Sequence, residues 1–314
     1  MAEDFVRQPH WAIAENLGLI DPARGRAVAG PRFTLLRGWG ARLERALANW
    51  MLDLHTTQHG YTEIAPPLIA STQALQHTGH LPHFQQEMYA IAPHADAANL
   101  PTLSQDEQGS AGEAALWLNP TAEVPLVAMH AGALLAERHL PIAEVAGMVS
   151  FRREAGSAGR ATRGLLRLHQ FTKVELTRLT TPAGANEAFD AITHHAEAVL
   201  TALALPFRTV ALAPSDLGFA ATRGRDIVVW FAGMGQWIEV ASISDCGTFQ
   251  ARLATIRYKP TAGGKPRFVH TLNGSGLAVG RTLAALLEQH QLPDGGVAIP
   301  PVLRPYLGGV ARIP

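Results

Sequence analysis

Residues 151–175 read FRREAGSAGRATRGLLRLHQFTKVE. Five arginines, glycines at 156, 159 and 164, and glutamates at 154 and 175 lie between two stretches that read as strands. A loop that only turns the chain is shorter and less charged than this one. Two strands joined through such a loop return antiparallel, and the basic loop is expected to hold something anionic.

The same organisation recurs outward along the chain. DIVVWFA (226–232) and QWIEVAS (236–242) flank Gly233 and Gly235 as a second hairpin. Between Gly40 and His55, Leu43, Leu47, Trp50 and Leu54 recur at helical spacing, with Arg42, Glu44, Arg45 and Asp53 on other faces. Gly60 closes that helix, and YTEIAPPLI reads as a short strand broken by Pro66 and Pro67, as suits a sheet edge. A second helix from about Ala188 to Leu205 carries Phe189, Ile192, Ala196, Val199 and Leu203 on one stripe before Pro206 stops it. A last helix begins inside GSGLAVGRTLAALLEQH, after a strand ending near HTLN. Strands joined by short turns, with helices between groups of strands, predict an α+β fold: an antiparallel sheet flanked by helices.

The bulk numbers exclude several classes. A chain of 314 residues with 47% hydrophobic and 17% charged residues can bury a large core in a single domain. Lysine plus arginine equals aspartate plus glutamate at 26 each, so any nucleic-acid partner must be met by a local patch. One cysteine, Cys246, excludes an internal disulfide and any multi-cysteine zinc cluster. The fourteen histidines are scattered, and the adjacent His194 and His195 diverge on a helix, so they read as solvated or core residues. No leader-like start or long apolar run is present, which predicts a cytoplasmic protein with no membrane partner. From about Ala92 to Leu116 the chain lacks periodicity and reads as a surface loop.

Three places carry chemistry. If RREAG continues a strand, alternation puts Arg152 and Glu154 on one face, and on the returning strand Phe171, Lys173 and Glu175 share a face. A flat ring on Phe171, anionic groups near Arg152 and an ammonium near Glu175 would suit a nucleoside phosphate beside an amino acid. A hairpin with a solvated ladder of charges fits the same spacing. In TLNGSGLAVGRT, Gly274, Gly276 and Gly280 either admit an anion to a helix N-terminus strengthened by Arg281, or mark tight packing of helix on sheet. Glu239 and Ser242 can hold Mg²⁺, yet simple alternation puts them on opposite faces, so joint ligation needs a bulge.

These stretches, taken in order, resemble the class II aminoacyl-tRNA synthetases in their bacterial seryl form. Residues 151–175 resemble motif 2, residues 270–309 the motif 3 region and C-terminal end, residues 40–69 motif 1 with Pro67 as its proline, and NPTAEVPL the serine-binding segment. The similarity runs from about His10 to Gly309. It implies a class II catalytic fold over residues 1–314 and a ligase that forms seryl-adenylate from serine and ATP, then passes the seryl group to tRNA. It implies Arg152 on the α-phosphate and the serine carboxylate, Glu154 on the adenine amino group, Phe171 stacked on the ring and Arg281 at the far end of the triphosphate. Glu239 and Ser242 would hold Mg²⁺, and Thr121, Glu123, Glu175, Asn273 and Ser275 would line the serine pocket. A homodimer built through motif 1 is expected.

The departures from that pattern set further expectations. No helical tRNA-gripping arm precedes the resemblance, so the chain reads as an armless core. Residues 92–116 read as an insertion, and Ala161 stands where the basic loop usually has an acid. Ala241 and Ile243 replace small polar residues and leave room for a relative of serine. A second reading therefore hands the aminoacyl group to a carrier protein or a small metabolite, and a third is a non-catalytic paralogue. Retention of the adenylation set argues against the third.

Overall fold

The computed structural model describes residues 5–91, 116–155 and 163–314. The expected insertion, except for Leu116, and Ala161 lie outside the described residues. A seven-stranded sheet organises the molecule. Numbered in chain order, its strands are β1 (Thr62–Glu63), β2 (Ile142–Phe151), β3 (Gln170–Thr180), β4 (Phe207–Ala211), β5 (Arg223–Phe231), β6 (Gln236–Asp245) and β7 (His270–Ala278). Their spatial order is β4-β5-β6-β7-β3-β2-β1, antiparallel throughout except that β1 runs parallel to β2 at the edge. The 151–175 and 226–242 hairpins are therefore as expected, and the proline-broken YTE segment is an edge strand.

Helices cover one face. α1 (His10–Asn16) is short; α2 (Trp39–Thr57) buries Leu43, Leu47, Trp50, Met51 and Leu54 along one stripe, and α3 (Ala185–Ala202) buries Phe189, Ile192, Ala196 and Val199. The stripe, not intrinsic propensity, fixes each helix, because burying a Leu or Ile contributes about 1.5–3 kcal/mol each. α3 starts three residues before the expected Ala188 and ends before Leu205, the chain turning at Ala204 with φ +52°. α4 (Val279–Gln289) follows β7 with no break. One continuous core joins α1 to α4 with β3, β5, β6 and β7 through Leu176, Ile227, Ile243 and Leu272.

Two sequence-level expectations are corrected here. RREAG is not strand: β2 stops at Phe151, and Glu154 takes a left-handed φ of +52°. The strand does not end near HTLN either; β7 continues through Gly274 and Gly276 to Ala278. Those two glycines answer to packing. A Cβ on Gly274 would lie 2.6 Å from Ile192 Cγ2 of α3, and one on Gly276 would lie 2.9 Å from His55 Nε2 of α2. Among the described residues no helix is long and apolar enough to cross a membrane, and none of the histidines joins a group able to hold a metal ion.

Candidate active site

The face of the sheet opposite α2 and α3 carries a cleft of about 200 Å³. Its walls include Arg152, Glu154, Phe171, Glu123, Glu175, Asn273, Ser275, Glu239, Ser242 and Arg281. Every residue expected in the site is thus brought to one place except Thr121. Thr121 is buried behind the cleft wall, and its hydroxyl accepts the backbone N–H of Glu123 at 3.3 Å.

Two β-bulges decide which side chains face the cleft. On β6 the pairing with β5 slips between Ile227 and Val228, leaving Val240 as an extra residue; Val228 pairs with Glu239 and Ile227 with Ala241. The extra residue cancels the alternation, so Glu239 and Ser242 face the cleft together. Ala241 and Ile243 fall on the helix side, 1% and 0% exposed in the core. They do not widen the serine pocket, which corrects the expectation drawn from their loss of polarity. On β7 the pairing with β3 slips in the same way between Ser275 and Leu277, so Gly276 is the extra residue and Ser275 and Ala278 share the open face.

One end of the cleft is a dense polar pocket. Asn273 Nδ2 donates to Glu123 Oε2 at 3.0 Å and to Glu175 Oε1 at 3.2 Å, and Gln250 Nε2 donates to Glu123 Oε1 at 2.6 Å. Burial pushes the Glu123 carboxyl up, and the Gln250 hydrogen bond with the cations Lys173 and Arg152 opposes that. Glu175, only 1% exposed, has Lys173 Nζ at 2.6 Å from its Oε2. Two carboxylates, one ammonium and two amides in so small a space match the polar groups of a small zwitterion bearing a hydroxyl.

The other end suits a nucleotide. Phe171 offers a ring beneath the Arg152 guanidinium, 5.4 Å from its centroid, and Arg152 is aimed by Nε donating to the carbonyl of Pro120 at 3.1 Å. Leu165, Leu166 and Leu168 add an apolar wall, and Arg167 pairs with the Glu154 carboxylate. Arg281, in the first turn of α4, donates from Nε to the Leu166 carbonyl at 3.2 Å and from Nη1 to Glu239 Oε1 at 3.1 Å. The oxygen donors at this corner fit Mg²⁺: Glu239 and Ser242 face the cleft, and Asp226, opposite Ser242 across the ladder, has a buried Oδ1 without a hydrogen-bond partner among the described residues. Burial raises the Asp226 carboxyl, Ser242 beside it lowers it, and Glu239 nearby raises it further. A guanidinium already sits on Glu239, so the corner attracts a cation.

Sequence reasoning assigned no role to Lys173, Arg167, Ser244 or Gln250. Lys173 was legible in principle, since alternation puts it beside Phe171 and Glu175. Gln250 gave no signal, because a helix after β6 brings it in (Phe249–Leu253). His80 gave none either; burial, with Arg152 and Lys173 adding to it, pushes its imidazole down to about 3, and its Nδ1 lies 2.9 Å from Thr78 Oγ1.

The class II core domain model of the tRNA synthetases for G, H, P, S and T matches residues 107–290. The chain is 49% identical over 309 residues to the serine-tRNA ligase of Moorella thermoacetica, a match that covers 98% of this chain and 68% of that one. Among solved structures it is similar to seryl-tRNA synthetase from Pyrococcus horikoshii complexed with ATP, with TM-score 0.87 and 35% identity, covering 99% of this chain and 64% of that one. A cytoplasmic serine-tRNA ligase from Naegleria fowleri in complex with AMP also matches, with TM-score 0.87 and 30% identity over 98% of this chain and 67% of that one. The chain therefore spans about two thirds of the length of these relatives.

Proposed function

This chain belongs to the class II tRNA synthetases in their seryl branch, and we propose that it activates serine with ATP and transfers the seryl group to the acceptor end of tRNA. The observation that carries this is the cleft in which a zwitterion-sized polar pocket adjoins a nucleotide-sized one, with Arg152 at their junction. ATP and AMP in the two solved relatives support the nucleotide half.

The reaction asks little covalent chemistry of the protein. The serine carboxylate, ionised at neutral pH, attacks the α-phosphorus of ATP in line, and pyrophosphate leaves with the electron pair of the broken bond. No general base is required. Arg152 aligns the carboxylate with the α-phosphate and stabilises the negative charge that spreads over the phosphoryl oxygens. Glu154 and Phe171 read and stack the adenine, and Arg281 takes the far phosphates once nucleotide draws it from Glu239. Glu239 and Ser242 would hold Mg²⁺, which supplies charge neutralisation across the phosphates when bound. Glu175, Asn273 and Ser275 hydrogen-bond the serine hydroxyl and ammonium, with Glu123 as the second carboxylate. Such a pocket rejects alanine, since the analogue leaves buried polar groups unpaired.

We place the protein in the cytoplasm and propose a homodimer through the α2 segment; sedimentation as a monomer at micromolar concentration refutes the dimer. The activation step is tested by amino-acid-dependent exchange of pyrophosphate into ATP with Mg²⁺ and no tRNA. Exchange with serine and not with alanine is expected; no exchange with any amino acid sinks the proposal. With labelled serine, transfer to tRNA is expected, and transfer to a carrier protein or a metabolite instead would replace the second step.

A further inference from the structure

Behind the sheet, away from the cleft, three imidazoles meet a tyrosine and an arginine. His55, 0% exposed in the last turn of α2, has Nε2 at 3.0 Å from the Gly276 carbonyl and Nδ1 at 2.9 Å from His59 Nδ1. A carbonyl only accepts, so His55 Nε2 carries the hydrogen; its Nδ1 is then an acceptor, and His59 Nδ1–H donates to it. The His59 ring lies flat on His195 of α3, with centroids 4.1 Å apart and planes 8° from parallel. Arg178 Nε of β3 donates to Tyr61 Oη at 3.2 Å, which leaves the phenol proton for His195 Nδ1, also at 3.2 Å. Every hydrogen-bonding atom on the path from His59 to Gly276 has a defined role with both rings neutral.

The end of that path is the extra residue of the β7 bulge. A bulge residue stands outside the regular ladder, so its carbonyl needs a partner from elsewhere. His55 supplies it, and the space is matched to the contact, since a Cβ on Gly276 would meet His55 Nε2 at 2.9 Å and Leu176 Cγ at 3.0 Å. The residue before the bulge is Ser275 and two positions earlier is Asn273, both in the polar pocket.

We propose that His55 is a positioning residue for the amino-acid half of the cleft: by holding the Gly276 carbonyl, with His59 fixing its tautomer, it keeps the β7 bulge in the register that aims Ser275 and Asn273 at the substrate. This rests on the serine-activation reading. The nucleotide half is anchored separately, through Arg281 to Leu166 and Glu239. Loss of His55 therefore falls on serine and spares ATP.

His55→Phe keeps the ring and removes the donor, whereas His55→Gln places an amide N–H where Nε2 stands. In pyrophosphate exchange, H55F is expected to raise the KM for serine about tenfold and to leave the KM for ATP within about twofold, and H55Q to return both to wild-type values. Hydrogen–deuterium exchange of residues 270–278 should quicken in H55F and recover in H55Q. Equal changes in the two KM values, no change in either, or failure of a well-folded H55Q to rescue overturns the proposal. If H55F does not fold, His59→Phe, which keeps the stack on His195 but cannot donate to His55, must raise the serine KM; an unchanged value overturns it. If the wild-type protein shows no serine-dependent exchange, the functional reading fails, and the deuterium exchange of H55F against H55Q still decides the positioning role.

Discussion

At the scale of the residue, the molecule keeps its charge where ligands are expected and compensates it from within. Lys173 and Glu175 are 8% and 1% exposed and 2.6 Å apart, so each offsets the other's charge at close range. Lys173→Met takes the nearest cation from a buried carboxylate that keeps the Asn273 amide and the more distant Arg152, and urea unfolding should show a loss of about 3 kcal/mol. The double variant Lys173→Met with Glu175→Gln should recover most of that stability while losing serine activation. The Arg152 side chain stands differently: among the described residues one hydrogen bond, to the Pro120 carbonyl, and one ring face, that of Phe171, hold it. Arg152→Ala should cut pyrophosphate exchange by about 10²–10³-fold while the melting temperature moves little. Arg152, Glu154, Phe171 and Glu175 crowd one short stretch, which made their convergence on one cleft legible in the sequence. Thr121 is buried beside Glu123, whose backbone N–H its hydroxyl accepts, and spacing alone cannot distinguish a side chain that touches a ligand from one that holds its neighbour.

At the scale of the element, strands and helices were legible from periodicity, and the breaks in periodicity were not. Glu239 and Ser242 share a face only because Val240 is extra, and nothing in WIEVAS announces that. The glycines of β7 had two readings, and the close approach of Ile192 and His55 favours packing for Gly274 and Gly276. The glycine that closes the basic stretch is constrained harder. Gly164 has φ +76°, and a Cβ there would lie 2.3 Å from His10 Nε2. That nitrogen accepts the N–H of Leu165, and His10 is held by Glu288, whose Oε1 takes both His10 N and Nδ1 and whose Oε2 takes the N–H groups of Gly233 and Met234. Gly164→Ala should therefore cost about 2–4 kcal/mol in urea unfolding, against about 1–2 kcal/mol for Gly235→Ala, which has positive φ and open space around it.

At the scale of the whole molecule, buried neutral imidazoles make the fold sensitive to acid. Burial pushes His55 down to about 4 and His195 to about 3 from an ordinary 6.5, and lowers His59 as well; Arg178 lowers His59 and His195 further. At these imidazoles the unfolded chain binds protons that the folded one refuses between pH 6.5 and 4, so their contribution to stability is complete above 6.5 and falls as pH drops through that window. His55 alone contributes on the order of 3 kcal/mol of that fall. A urea midpoint that did not decline between pH 7 and about pH 4.5 would contradict it. The expected insertion at 92–116 lies outside the described residues apart from Leu116, and the strands that border it pair, with Ala90 opposite Trp117 and Ile91 opposite Leu116. Deleting residues 92–115 in favour of an Asn-Gly turn should preserve both melting temperature and serine activation. The same paired ends make a splice point. Antiparallel partners stand about 5 Å apart, so a guest domain whose own termini are neighbours could be grafted there and report on the enzyme from outside its cleft.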